Sequence, residues 1–283
     1  MIARQNPRIR PLVSYHGGKY YQCHNIIDLM PSHQTYVEPF IGGGSVFLNK
    51  IASDTDVISD LNEPLITLYR LLQSKPDWAQ HYLEQIDYSE SNYEKALVLL
   101  HDPTTDPEIR ALQYVVVMRF SRGSLGNAFG WSDKLRRGMP FRESMWKGVL
   151  EETLPRVIAR LKNAKIFLQN AATTISHFDS PETLIYCDPP YMLSTRESGS
   201  REIYSQEMSD LDHLKLSILL NTCKSKIMIS GYANQQYSRW YKNWYVRSWK
   251  VPKPSSQTGG EPLPYAKEFC WCNFRIPGGI KSL

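Results

Sequence analysis

The chain has 283 residues, 42% of them hydrophobic and 22% charged, with a formal net charge of +5. That content describes an ordinary globular chain with one substantial core, or one core plus a smaller insertion. Arg4, Arg8 and Arg10 lead into no apolar run long enough for a signal segment, and no later stretch approaches the roughly 18 apolar residues of a membrane span, so a soluble cytoplasmic protein without membrane contact is expected.

The first element in chain order is the short apolar run Tyr36-Val37, followed by a glycine loop and an apolar stretch from Val46 to Ile51 that starts a helix. Val57-Ile58 reads as a second strand. Leu65, Leu68, Tyr69 and Leu72 fall at i, i+3, i+4 and i+7, which gives the next helix one inward face. From Asp77 to about Lys162 the pattern changes. Helical spacings over Tyr82 to Leu100 and Glu108 to Phe120 precede a polar, glycine-bearing stretch from Ser121 to Met139, and this part reads as an inserted helical subdomain. Strand-length runs return at Lys165 to Leu168, Thr183 to Cys187 and Lys226 to Ile229, and Leu211, Leu214 and Ile218 mark a helix between the last two. Proline and glycine make Val251 to Pro264 a loop before a closing strand at Phe269 to Phe274. The alternation predicts an α/β fold with a mostly parallel sheet, built from residues 1–76 and 163–283 around an insert at 77–162.

Cys23, Cys187, Cys223, Cys270 and Cys272 are odd in number and scattered, which argues for a reducing compartment over a disulfide framework. Cys270-x-Cys272 has no second pair to complete a zinc site and reads as strand packing, so no metal is expected.

The chemistry lies in Asp188-Pro189-Pro190-Tyr191, directly after the run Leu184-Ile185-Tyr186 and so at the carboxyl end of a strand, where open α/β sheets bind ligands. The exocyclic amine of adenine is a poor nucleophile because its lone pair is delocalised into the ring. Hydrogen-bond acceptors aimed at both amine hydrogens draw the nitrogen towards tetrahedral geometry. The Asp188 carboxylate supplies one acceptor and the Pro189 carbonyl the other, while two successive prolines stiffen the backbone. Tyr191 offers an aromatic face to a base swung out of its stack. The same tetrad also suits the cytosine amine, or adenine in RNA.

Glu38-Pro39-Phe40-Ile41-Gly42-Gly43-Gly44 follows the first strand, and Gly42 and Gly44 belong to a loop that lets backbone approach a ligand closely. It has neither the Gly-Lys-Ser/Thr ending of a phosphate loop nor G-x-G-x-x-G spacing. Asp60, at the end of the second strand, is placed to grip ribose hydroxyls, or else to cap the helix that follows.

These pieces resemble the Dam-like DNA adenine methyltransferases. That family opens on a Lys-Trp-Ala-Gly-Gly-Lys type motif, here Ser14-Tyr15-His16-Gly17-Gly18-Lys19, and continues with E-P-F-x-G-G-G (Glu38 to Gly44), an Asp near an Asn (Asp60, Asn62), a recognition segment and the DPPY tetrad. Ser255-Ser256, Lys267-Glu268-Phe269 and Asn273-Phe274 are similar to its late loop and closing strand. The resemblance implies a Rossmann-like methyltransferase sheet, S-adenosylmethionine as cofactor, and contacts to it from Tyr15, Lys19, Asp60 and Asp188. Lys19 suits the methionine carboxylate as a charge-assisted partner. Two departures stand out: Gln169-Asn170-Ala171-Ala172 occupies the place where the family often has an acidic residue, and Arg119-Phe120-Ser121-Arg122-Gly123 replaces its Asn-rich recognition pattern.

Arg119, Arg122, Lys134, Arg136 and Arg137 crowd one segment with Asn127, Phe129 and Trp131, a mixture suited to phosphate contacts, base edges and the gap left by a flipped base in double-stranded DNA. The run Tyr237 to Lys250 interleaves cations with aromatics, which reads as a helix and strand packed on the sheet with their cations in water. The expectation is a monomeric DNA adenine methyltransferase. Its rival from another class is a non-catalytic DNA-binding homologue, and the intact tetrad and glycine loop argue against that rival. A nuclease would need clustered metal-binding carboxylates in a further domain.

Overall fold

In a computed structural model the described residues are 7–13, 17–132, 134–136, 138–192, 207–232, 234–252 and 265–281. Their elements run α1 (Cys23–Ile27), β1 (Thr35–Glu38), α2 (Ser45–Asn49), β2 (Thr55–Asp60), α3 (Glu63–Ser74), α4 (Pro76–Glu84), α5 (Glu90–His101), α6 (Pro107–Phe120), β3 (Leu135–Arg136), β4 (Met139–Pro140), α7 (Phe141–Gly148), α8 (Leu154–Leu161), β5 (Lys165–Leu168), α9 (Ala171–Phe178), β6 (Thr183–Cys187), α10 (Asp210–Thr222), β7 (Lys226–Tyr232), α11 (Gln235–Trp240), β8 (Tyr245–Pro252), β9 (Tyr265–Cys272) and β10 (Ile280–Lys281).

The fold is mixed α/β on one eight-stranded sheet of order β10-β8-β9-β7-β6-β1-β2-β5. Strands β5, β2, β1, β6 and β7 are parallel, and β9, β8 and β10 extend the β7 edge in antiparallel pairing. The parallel strands carry helices on both faces, which is why β6 and β7 are continuous apolar runs instead of alternating ones. On one face Tyr36, Ile58, Leu184, Tyr186 and Met228 pack with α1, α2, α3 and the helices between 76 and 161. On the other, Val37, Val57, Ile185, Ile227 and Ile229 pack with α9, α10 and α11. Neighbouring residues of a strand point to opposite faces, so one sheet feeds two cores.

The chain leaves β1 for β2 on one side and later places β6 on the other side of β1. That change of direction opens a crevice above the carboxyl ends of β1 and β6.

Leu65, Leu68, Tyr69 and Leu72 of α3 are buried as their spacing predicts. The stretch Tyr82 to Leu100 is not one helix: α4 ends at Glu84, and Ser89 caps α5 by accepting from the Asn92 amide. In α10 the expected helix forms, but its inner face carries His213, Leu216, Ser217 and Leu220, while Leu211, Leu214 and Ile218 lie outside. A helix with leucines all round announces its period without saying which side is inside. The closing strand starts at Tyr265, earlier than its apolar run suggests, because its partner β8 reaches Pro252. Within 251–264, residues 253–264 lie outside the described residues, as does the Ser255-Ser256 pair.

Helices α5 and α6, with Trp146 and Val149, join the same apolar cluster as α3. The segment after α6 folds back: Ser121 bridges to Phe129, Gly130 N–H donates to the Phe120 carbonyl, and β3 and β4 form a hairpin whose turn includes Gly138 at φ 77°. Phe129 packs its ring against Tyr88 and Tyr93, half-buried at the margin of the core of this region.

Candidate active site

The glycine loop leaves β1 after Glu38 and enters α2 at Ser45. Gly42 and Gly44 have φ of 45° and 69°, in the region that favours glycine. A Cβ on Gly43 would sit 2.8 Å from the Val13 carbonyl oxygen, so the segment before the first helix closes over the loop. Asp60 holds the loop from the next strand: one carboxylate oxygen accepts from the Gly42 amide at 3.0 Å and the other from the Asn62 amide at 3.0 Å. Tyr69 of α3 donates to the Gly42 carbonyl at 2.8 Å. The cap of α3 is Asn62, which accepts from Leu65 N–H, so Asp60 is not the cap of that helix. Burial raises the Asp60 carboxyl above its ordinary value, against the lowering effect of those amides.

Asp188 stands at the end of β6 with about 20% of its side chain exposed, and its Oδ1 lies 2.8 Å from the Lys19 ammonium. The same ammonium lies 3.1 Å from Glu268 Oε1 and donates to the Gly17 carbonyl at 2.9 Å. The Tyr191 hydroxyl donates to that same Glu268 oxygen. Its ring packs edge-to-face on Tyr232, and the Lys19 ammonium lies 4.8 Å from its centre. Burial pushes the Asp188 carboxyl up to about 6, with Lys19 pulling it down and Glu268 pushing it up. Lys19 is itself raised well above its ordinary value, because the two carboxylates outweigh the desolvation that opposes them. Glu38, buried under the loop, accepts from the Tyr36 hydroxyl at 2.7 Å, and burial lifts its carboxyl to about 8.

One cavity of about 680 Å³ joins these parts. Its wall includes Lys19, Glu38, Pro39, Phe40, Gly42, Gly44, Asp60, Asp188, Pro189, Pro190 and Tyr191, so residues from distant parts of the chain meet on one wall. Tyr15 and Arg137 lie outside the described residues. The segment after α6 reaches the same cavity through Ser124, Leu125 and Gly126. Beyond them Arg122, Asn127, Trp131, Lys134 and Arg136 are exposed, Trp131 to 79%. Arg119 is placed differently: its guanidinium turns inward and donates to the carbonyls of Pro11 and Leu12, and burial lowers it to about 10.

Sequence reasoning assigned no role to Glu268. The signal was an acidic residue directly before the apolar run Phe269 to Cys272, which on β9 is 4% exposed. Gln169 was noted only as a departure. It follows β5 on the cavity wall, and its amide nitrogen donates to Thr174 at 2.8 Å, which leaves its carbonyl oxygen as an acceptor. Cys270 and Cys272 are buried and free on β9, as strand packing requires. Among the described residues no helix is long and apolar enough to cross a membrane.

The family described as D12 class N6 adenine-specific DNA methyltransferase matches residues 15–256. The DNA adenine methylases of Salmonella typhi and of Escherichia coli (strain K12) are each 24% identical to the chain over 257 residues, 89% of this chain and 91% of theirs. That of Vibrio cholerae serotype O1 (strain ATCC 39315 / El Tor Inaba N16961) is 25% identical over 257 residues, 88% of this chain and 91% of its own. The match decides between the amines that the tetrad alone left open. With most of its length inside the family, and the glycine loop and tetrad facing one cavity, the chain belongs to the D12 class of N6 adenine-specific DNA methyltransferases.

Proposed function

We propose that the transfer takes place in the crevice between β1 and β6, with S-adenosylmethionine as donor and an adenine swung out of double-stranded DNA as acceptor. The observation that supports this most is the single cavity joining the glycine loop and Asp60 to the tetrad. Its size falls in the range of small-molecule sites, and a wall with the carboxylates of Asp60, Glu63 and Asp188 suits a sulfonium cation and opposes phosphates. Such a donor supplies an electrophilic methyl group that takes the amine's lone pair, while the carbon–sulfur electron pair stays on sulfur and the nitrogen sheds one proton.

The protein's part is to bind and to aim. Asp60 keeps lone pairs for ribose hydroxyls beyond the two amides it already holds. Phe40 and Ala171 give the donor's base an apolar wall, and the Gln169 carbonyl takes the place of the missing acid as acceptor for its amine. Tyr15 is assigned to the cofactor by family resemblance, and Pro39, Gly42 and Gly44 keep the loop backbone close. Asp188 rests one oxygen on Lys19 and offers the other to an amine hydrogen of the target, with the Pro189 carbonyl taking the second hydrogen. A protonated carboxyl is a much weaker acceptor than a carboxylate, so transfer falls as the pH drops through about 6.

Residues 77–162 carry recognition in this reading. Exposed Arg122, Lys134 and Arg136, with Arg137, serve phosphates, Asn127 serves a base edge, and exposed Trp131 fills the gap of the flipped base. An insert of this size suits a monomer on DNA. The test is transfer of labelled methyl from S-adenosylmethionine to unmethylated DNA, with nucleoside analysis, for wild type and Asp188→Ala. Label in methyladenine that falls by about 100-fold or more in the variant is expected, the scale of a missing electrostatic partner in a transition state. An active Asp188→Ala would remove the tetrad from the mechanism.

A further inference from the structure

The tetrad rests on a residue outside it. Glu268 lies on β9 behind the crevice wall, where Tyr232 and Trp249 are its ladder neighbours. One of its oxygens receives both the Lys19 ammonium and the Tyr191 hydroxyl, and Lys19 continues to Asp188. A single buried carboxylate oxygen therefore ties the amine acceptor, through Lys19, to the aromatic ring of the same tetrad.

Two carboxylates share one ammonium here, in a place largely withdrawn from water. The other titratable groups around Asp188 do not relieve that imbalance. Glu38 is held protonated at neutral pH, and Tyr186, Cys187 and Tyr237 are all pushed upward by burial and so stay neutral. Only Lys19 and Glu268 are left to set the charge that Asp188 feels. An apolar residue or an amide at position 268 would pack with less electrostatic cost. It would also leave Lys19 wholly to Asp188, and a carboxylate fully matched by an ammonium is a weaker acceptor for a third party.

We propose that Glu268 is a positioning residue for methyl transfer: by competing for Lys19 and anchoring Tyr191, it holds Asp188 in place and keeps it a strong acceptor for the adenine amine. This rests on the reading of Asp188 as that acceptor.

The experiment is single-turnover methyl transfer to DNA across pH for wild type, Glu268→Gln, Glu268→Ala and Asp188→Ala, with cofactor affinity and melting temperature measured on each. Glutamine keeps an acceptor for Tyr191 and Lys19 but loses the charge. In Glu268→Gln the acid limb of the rate moves down by about one pH unit, because a like charge beside Asp188 has gone. The plateau rate falls about tenfold, one step on the free-energy scale of rates. In Glu268→Ala the rate falls by about 100-fold, the scale of a small misplacement of reacting groups, while cofactor affinity stays within about threefold. If Glu268→Ala does not fold, the isosteric variant carries the test alone. A wild-type acid limb and rate in Glu268→Gln, with Asp188→Ala inactive, would overturn the proposal and leave the tetrad reading standing. A loss confined to melting temperature would do the same, since Glu268 would then be packing only. An active Asp188→Ala would remove both.

Discussion

The crevice above β1 and β6 meets the segment from Arg122 to Arg136 at Ser124, Leu125 and Gly126, yet the two are built on opposite plans. In the crevice each polar side chain answers to another residue: Asp60 to the Gly42 and Asn62 amides, Glu38 to Tyr36, Lys19 to Asp188 and Glu268. Along the segment, Arg122, Asn127, Lys134 and Arg136 face water, and Trp131 and Leu135 are 79% and 71% exposed. In the function proposed here, the difference follows from what each must recognise. A reacting centre needs acceptors fixed before the reaction begins, because reorienting them during it costs rate. A DNA-binding surface instead keeps its cations hydrated until phosphates displace the water.

The sharpest way to break this comparison is to loosen one anchor of the crevice. Asp60→Asn keeps the size of the side chain, but its amide nitrogen cannot accept, so one backbone N–H of the loop loses its partner. Hydrogen bonds to a charged acceptor are worth about 1.5–3 kcal/mol each. Cofactor affinity should therefore fall by about 100-fold in a binding titration, with DNA affinity unchanged. Equal loss of both affinities would mean that the two regions are not separate. Arg119→Ala tests the boundary from the other side. Its place in the chain puts it with the DNA-facing cations, but its guanidinium holds the carbonyls of Pro11 and Leu12. Stability to denaturant should drop by about 2 kcal/mol, since buried carbonyls lose their donor, and the salt dependence of DNA binding should not change. A flatter salt dependence with stability intact would return Arg119 to the DNA surface.

What was legible follows the same division. The strands of the parallel half announce themselves as apolar runs because both their faces are covered, and the glycine loop, Asp60 and tetrad are legible because the chemistry permits few other residues there. The features that were missed depend on partners far away in sequence. Glu268 acquires its meaning from Lys19, almost 250 positions earlier, and Arg119 from a carbonyl at Leu12. The break between α4 and α5 is local, at the Ser89 cap, but an apolar period running through it concealed it. The β3–β4 hairpin is too short for any period, and Gly138 at its turn was the only mark.

Smaller effects test the open surface. Lys134→Ala with Arg136→Ala should reduce the slope of log affinity against log salt by about 2, roughly one for each phosphate left without its cation. The rate at saturating DNA should stay within about twofold, since neither residue lines the cavity. An unchanged slope would mean that these exposed cations do not meet the backbone.

The smallest effect isolates what the crevice costs the fold. Glu38 is 3% exposed, and its carboxyl is lifted from the ordinary 4.5 to about 8 chiefly by burial. The sign is fixed: a folded value above the unfolded one means the protonated form is favoured in the fold. Its contribution is whole below about 4.5 and is lost as the pH rises through about 8. Glu38→Gln keeps an acceptor for the Tyr36 hydroxyl and removes the group that must stay protonated. Melting temperature should therefore rise by about 3 °C at pH 8, corresponding to on the order of 1 kcal/mol for a chain of this size, and should not change near pH 4.5. Lys134 and Arg136 lie exposed to water, so their neutral replacements should show no comparable pH-dependent gain. An equal change at both pH values for Glu38→Gln would trace the effect to packing and would place the energetic cost of the crevice elsewhere among its buried charges.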